Sequence, residues 1–361
     1  MMIMQKKIYV SILRNLILCA ILLVGFTGAG SASAVNNSSG KSDLKVALLD
    51  AGSIGDHGWV FEGHIGGMKM AQKLPYVNLS ERESASGDNA SQIMREYADN
   101  GYKLIFCHGD DFRDAILDVA PKYPGVIFMW GAGTEKLAPN VGTYSGRIYQ
   151  AEFLAGVVAG NMTKTNKIAF VASVLNPEVV RAINALGKGV AIANPRAKVY
   201  VEWVGSWYDP EKERQTARSL INKGCDVITQ TTDSDTIGQV AEETGTYYIS
   251  YGSNTNRFFH HVFLTGGVWN WGPIMTDIAE SVHNGTWTSH PNQNWWFGMA
   301  EGGVELAPFS DIVPNDVIMF EKAKQDEITK GELTVFPGMS DEDLSKMNYL
   351  EPNVVGELPK S

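Results

Sequence analysis

The side chains best placed to do chemistry are Ser206, Trp207, Thr232 and Asp233, which follow two largely apolar runs at 198–204 and 226–231. Hydroxyls, an indole and a carboxylate can donate, accept and stack, which is recognition chemistry for a flat polar ligand rather than bond-breaking chemistry. Their spacing has a local cause. Gly205-Ser206 ends the first run, and Asp209-Pro210 reads as a helix N-cap with proline at the first helical position. Ala217, Leu220 and Ile221 then repeat at helical spacing before Gly224. Strand, helix and strand in that order belong to a parallel sheet with right-handed crossovers, and in such sheets ligands sit beyond the carboxyl ends of the strands.

The same alternation runs along the chain. Strands are expected at 45–50, 103–109, 126–130, 167–173, 198–204, 226–231, 247–252 and 262–267, with helices between them, among them 92–99, 114–122 and 152–162. Two segments echo one another: 101–110 aligns without a gap on 224–233, each following a helix and ending in Asp, and 45–50 resembles 167–172 at nearly the same offset. This predicts an α/β chain of two similar, doubly wound parallel-sheet lobes whose strand ends face each other across a cleft. Beyond Pro308 the alternation stops; 311–330 reads as a helix and 333–361 as an irregular segment packed on one lobe.

Lys6, Lys7 and Arg14 precede an apolar run at 16–26 and the small residues 31–34, the plan of a secretory signal or of an uncleaved N-terminal anchor. Cys19 lies inside that run behind Leu18, so no lipid anchor is expected. Losing the segment takes the formal charge from −10 to −13, because it carries three basic residues and no acidic ones. An acidic surface argues against nucleic acid or anionic lipid as partner. Cys107 and Cys225 fall in separate expected strands, so neither a disulfide nor a cysteine metal site is expected.

No P-loop, nucleophile elbow or H-E-x-x-H motif occurs, and Gly52, Gly55 and Gly58 lack dinucleotide spacing. His57 and His64 stand two helical turns apart and His260-His261 are adjacent, yet neither pair has a carboxylate at ligand spacing, so no metal or cofactor is expected. Asp110-Asp111 reads as a loop pair accepting backbone hydrogen bonds. The tryptophans are more suggestive. Trp59, Trp207, Trp269 and Trp271 all follow expected strands or open helices, interleaved with Asp56, Ser206, Thr232, Asp233, Ser253 and Asn254. Stacking on such rings contributes about 1–3 kcal/mol per base without needing charge.

These residues carry a resemblance. Asp50-Ala-Gly-Ser-Ile-Gly-Asp-His-Gly-Trp59, Ala120-Pro-Lys-Tyr-Pro124, Gln150-Ala-Glu-Phe-Leu-Ala-Gly156, Gly205-Ser-Trp-Tyr-Asp-Pro210 and Trp271-Gly-Pro273 resemble, in order, blocks of the basic membrane protein (BMP) family of ABC-transporter substrate-binding proteins, over 44–359. The resemblance implies a type I periplasmic-binding-protein fold, two lobes joined by a three-crossover hinge, and a ligand enclosed by closure. It also implies an exported monomer, in the periplasm or at the outer face of the cytoplasmic membrane, that serves a membrane permease and binds a small molecule rather than nucleic acid. The expected bounds are a signal at 1–34, a linker at 35–43, lobe I at 44–145 plus 254–291, lobe II at 146–253 plus 292–332, and a tail at 333–361. Crossovers are expected near Ser145, Ser253 and Pro291.

Nucleoside-binding members carry an Asp-Lys-Ser-Phe-Asn run after the first strand; here Asp56 matches the Asp, Trp59 replaces the Phe and Val60 the Asn. Their ribose anchors, an Asp and a Lys, correspond to the neighbourhoods of Gly252 and Trp269. A site built for sugar hydroxyls loses much affinity without its charged partners, so the resemblance points to the subgroup that binds a free purine base, adenine first. Trp59 and Trp207 are the expected stacking rings, Phe112 and Trp271 reserve walls, and Asp56 and Asp233 the groups for the base edge. Gly109, Ser206, Thr232, Ser253 and Trp269 complete the expected lining. A purine nucleoside, riboflavin or another flat heterocycle is the alternative ligand. An extracellular enzyme acting on nucleosides, with Asp56 or Asp110 as general base, is the remote alternative to a non-enzyme.

Overall fold

The computed structural model describes residues 43–288 and 294–359. The expected signal, anchor and linker therefore lie outside the described residues. The first lobe begins with β1 (Leu44–Asp50), α1 (Trp59–Lys73), β2 (Val77–Arg82), α2 (Ala90–Asp99), β3 (Leu104–His108), α3 (Arg113–Val119), β4 (Ile127–Gly131) and β5 (Val141–Gly146). The chain crosses at Arg147 into α4 (Ile148–Met162), β6 (Lys167–Ala172), α5 (Pro177–Ala193), β7 (Lys198–Trp203), α6 (Pro210–Asn222), β8 (Val227–Gln230), α7 (Thr236–Thr244), β9 (Tyr247–Ser250) and β10 (Phe263–Trp269). It returns through α8 (Trp271–Asn284) and β11 (Asn294–Phe297), then ends on the second lobe with β12 (Val304–Leu306), α9 (Asn315–Thr329), α10 (Asp341–Ser345) and β13 (Val354–Val355).

The sheets run β11-β5-β4-β3-β1-β2 and β12-β10-β9-β8-β6-β7-β13. Strands pair in parallel except β10 with β12. Their inner strands are apolar runs buried on both faces, as β3 and β8 show end to end. The internal echo holds residue by residue: Val46 pairs with Leu104 in the first sheet, and the echoed Ile168 pairs with Val227 in the second.

Local chemistry sets the helix starts. Asn176 accepts the Val179 N–H at 2.9 Å ahead of Pro177, and Asp209 accepts the Lys212 N–H at 3.2 Å ahead of Pro210. Helices α4 and α5 pack closely enough that a Cβ on Gly189 would stand 1.9 Å from the Phe153 carbonyl oxygen. Cys107 and Cys225 are buried free thiols.

Two of the expected crossovers move. Strand β10 adds to β9, so 254–269 stay with the second lobe and the chain crosses at Asn270 rather than near Ser253. The aromatic strand β11 pairs with β5, so the third crossing falls at 298–303 rather than near Pro291. The tail lies on the second lobe: β13 extends that sheet beside β7, and Asn184 donates to the Tyr349 carbonyl at 2.7 Å.

Candidate functional site

The first lobe presents an aromatic wall. Trp59 opens α1 beyond the end of β1, and its indole lies on the His108 ring, 4.7 Å between centroids and 21° between planes. His108 ends β3 fully buried, and burial pulls its imidazole down to about 4, so the ring is neutral. The Trp59 carbonyl can only accept, so its 3.2 Å contact makes Nε2 the donor, and Nδ1 accepts from the Tyr144 hydroxyl at 2.7 Å. That chain of bonds fixes the plane of His108 and, through it, of Trp59. Trp269 and Trp271 stack on each other at 5.0 Å and meet Trp59 edge-on at 5.3 and 4.7 Å. Both are fully buried, whereas Trp59 keeps surface for a ligand.

The second lobe presents carboxyl and hydroxyl groups. Asp233 follows β8, anchored by its N–H on the Trp207 carbonyl at 2.8 Å. Its carboxyl keeps some surface yet is densely enclosed. Burial, then the charges of Asp56, Glu213, Glu178 and Asp110, hold it well above the usual carboxylate range. Glu178, in the first turn of α5, accepts from the Tyr251 hydroxyl at 3.3 Å; burial raises its carboxyl too, opposed by Arg181 nearby. Thr232 is buried with Oγ1 unpartnered. A carboxyl whose protonated form burial favours and a free hydroxyl can offer donors and acceptors together, which suits a heterocycle edge carrying both N–H and ring nitrogen.

The walls meet at the loop before α1. His57, in the left-handed region at φ 56°, bonds Asp235 Oδ2 through Nδ1 at 2.7 Å, stacks on Phe258 at 4.8 Å, and takes the Ser253 hydroxyl on its carbonyl. A Cβ on Gly58 would stand 3.5 Å from Asp233 Oδ1. The lobes are therefore in contact, with Asp233 beside the start of α1. An open hollow lined by Met68, Pro75, Tyr76 and Leu79 lies at the β2 edge and takes no part in this arrangement.

Several expected site residues do other work. Both Asp56 oxygens accept backbone N–H groups, of Gly58 and Val60 at 2.9 Å and Phe61 at 3.0 Å, because the start of α1 leaves those donors free. That spends on the helix the carboxylate expected at a base edge. Phe112 is fully buried in the first lobe's core, not on the cleft. Gly109 allows a close approach: a Cβ there would meet Ala51 Cβ at 2.6 Å. Ser206 closes its own loop, donating to the Tyr208 carbonyl at 3.0 Å, and Trp207 packs against the second lobe's core. His57 and His64 do not share a site; His64 pairs with Glu81 at 2.7 Å.

His108, Glu178 and Tyr251 were missed from the sequence. Only His108 carried a signal, a polar residue closing an apolar strand; Glu178 and Tyr251 reach the cleft through helix direction and the position of the crossovers.

Residues 43–338 match the model of the Bmp family, described as ABC transporter substrate-binding protein PnrA-like. A purine-binding protein of Brucella abortus is 34% identical over 356 residues, 94% of this chain and 99% of that protein. A Haloferax volcanii protein named as an ABC transporter glucose-binding protein is 31% identical over 322 residues, 88% of this chain and 81% of its own. Among solved structures, an ABC transporter solute-binding protein from Conexibacter woesei superposes with a TM-score of 0.67 at 25% identity, covering 81% of this chain and 98% of that one.

Proposed function

Because the chain belongs to the PnrA-like family of ABC-transporter substrate-binding proteins, we propose that it carries a free purine base, adenine first, between its lobes to a membrane permease. One observation carries the reading: the corner where a ribose would be anchored holds the buried Trp269 ring. A Cβ on Gly252, itself at φ 82°, would stand 3.4 Å from that ring. In this reading Trp59 stacks on the base, while Asp233, held protonated, donates to a ring nitrogen and accepts from an adjacent N–H. The protein binds and releases its ligand outside the cytoplasm, reached through its N-terminal segment; no helix among the described residues is long and apolar enough to cross a membrane.

A second reading has its own support. Carboxyl groups opposite a half-buried tryptophan also suit a hexose, and the Haloferax relative is named for glucose. Calorimetric titration of refolded, ligand-stripped protein with adenine, hypoxanthine, guanine, adenosine, riboflavin and glucose decides between them. The expected result is tightest binding to adenine; binding of adenosine or glucose with no response to adenine overturns the proposal.

A further inference from the structure

The loop between β9 and β10 carries two adjacent histidines, His260 and His261, whose ring centroids are 3.8 Å apart. From sequence they lack a carboxylate at ligand spacing. The fold supplies one: Glu242, in the last turn of α7, accepts His261 Nδ1 on Oε1. One potential ligand atom from each of Glu242, His260 and His261 lies within 4.8 Å of the other two. Glu242 Oε2 is in addition buried without a hydrogen-bond partner, a cost that a nearby cation offsets.

We propose that Glu242, His260 and His261 form a binding site for a divalent first-row transition metal, with Zn²⁺ as the probe ion. Two imidazoles and one carboxylate are a donor set such ions take, with metal–ligand bonds of about 2.0–2.2 Å and ligand atoms about 3.4 Å apart in a tetrahedron. Closing from 4.8 Å requires small rotations of exposed side chains; His261 is 71% exposed. The ion takes the place of the hydrogen between His261 and Glu242, His261 then carrying its proton on Nε2. Water fills the fourth position.

The loop already packs on α7 one turn before Glu242, where a Cβ on Gly238 would meet the Phe259 ring at 2.4 Å. Its Phe258 is the residue that stacks on His57 of the first lobe at 4.8 Å. An ion on the histidines that follow it ties down the part of the second lobe that grips the first.

The test uses the untagged full chain after chelator treatment and dialysis. Calorimetry is expected to show one Zn²⁺ per chain, and Co²⁺ to give the visible d–d absorption of nitrogen and oxygen ligation. His260→Ala/His261→Ala and Glu242→Gln should each weaken Zn²⁺ binding by at least about tenfold, with unchanged circular dichroism. Equal Zn²⁺ affinity and stoichiometry in the double variant, or no uptake by the parent at about 1 mM Zn²⁺, overturns the site. Neither result depends on which ligand the cleft takes.

Discussion

The ends of β3 and β8 occupy the same place in two matching sheets, yet only one of them makes a hydrogen-bonding wall. In the internal alignment His108, Gly109 and Asp110 stand where Thr231, Thr232 and Asp233 stand in the second lobe. Asp110 is exposed, its carboxyl raised by partial burial and by Asp111, whereas Asp233 is enclosed beside Gly58 and its carboxyl is held well above the usual range. His108 is committed to holding Trp59 flat, while Thr232 leaves a buried hydroxyl free. Duplicated frames thus carry unequal walls: the first grips the face of a ligand, the second reads its edge. The asymmetry arises where the lobes touch, not within either sheet.

The largest effects should come from the aromatic wall. Trp269→Ala removes a fully buried ring shared by both lobes and should cost about 3–5 kcal/mol of stability, read as a lower midpoint in urea, with loss of binding. Trp59→Ala separates face contact from core packing. It should weaken adenine by about 1–3 kcal/mol, roughly fivefold to 150-fold, with a much smaller change in midpoint. Parent-like adenine affinity in Trp59→Ala breaks the assignment of the first wall to stacking.

The edge wall comes next. Asp233→Asn keeps a donor and an acceptor and should retain binding within a few-fold, whereas Asp233→Ala should lose about 1–3 kcal/mol. The sign of the pH effect follows from the raised carboxyl: the protonated form binds, so parent affinity falls as pH rises through its titration while that of Asp233→Asn stays flat. Titrations across that range compare the two proteins; a flat parent profile removes the protonated carboxyl from the mechanism.

Much of this frame was legible in the sequence because apolar runs, caps and glycines are local. The alignment of 101–110 on 224–233 located both cleft-forming strand ends, since buried parallel strands impose the same pattern twice. What stayed hidden was non-local. Strand β11, four aromatic-rich residues, is specified by pairing with β5, so the third crossover could not be read. Asp56 looked like a ligand group because a carboxylate's type does not reveal which N–H groups the fold brings to it. Glu242 joined two histidines only through the packing of α7 on the following loop.

Both lobes also bury carboxyls that the edge wall does not use, which extends the comparison to stability. Glu152 on α4 is fully buried with both oxygens unpartnered, and burial pushes it up to about 8 from 4.5. Asp50 at the end of β1 is raised by burial and then by Glu81. An acid raised in the folded state binds more protons folded than unfolded, so its contribution is complete below about 4.5 and is lost as pH rises toward about 8. Urea midpoints should therefore fall across that window, and Glu152→Gln should flatten the slope. An equally steep slope in Glu152→Gln assigns the effect to the other raised carboxyls, Asp50, Glu62 and Glu321 among them.

The smallest effect should come from the contact that joins the walls. His57 and Asp235 are each about a third exposed or less, at 33% and 26%, and pairs of that kind contribute about 0–1 kcal/mol. Their placement gives them a closure role out of proportion to that energy, because His57 also stacks on Phe258 and takes the Ser253 hydroxyl. Those contacts exist only while the lobes touch, so weakening them shifts the open–closed balance without altering either wall. His57→Ala should leave the urea midpoint nearly unchanged, lower adenine affinity a few-fold, and enlarge the ligand-free molecule in solution scattering. A double-mutant cycle with Asp235→Ala isolates the pair. Additive losses would leave the Phe258 stack and the Ser253 bond as the closing contacts, and a coupling near 1 kcal/mol would identify the His57–Asp235 hydrogen bond as the element that brings the aromatic wall to the carboxyl wall.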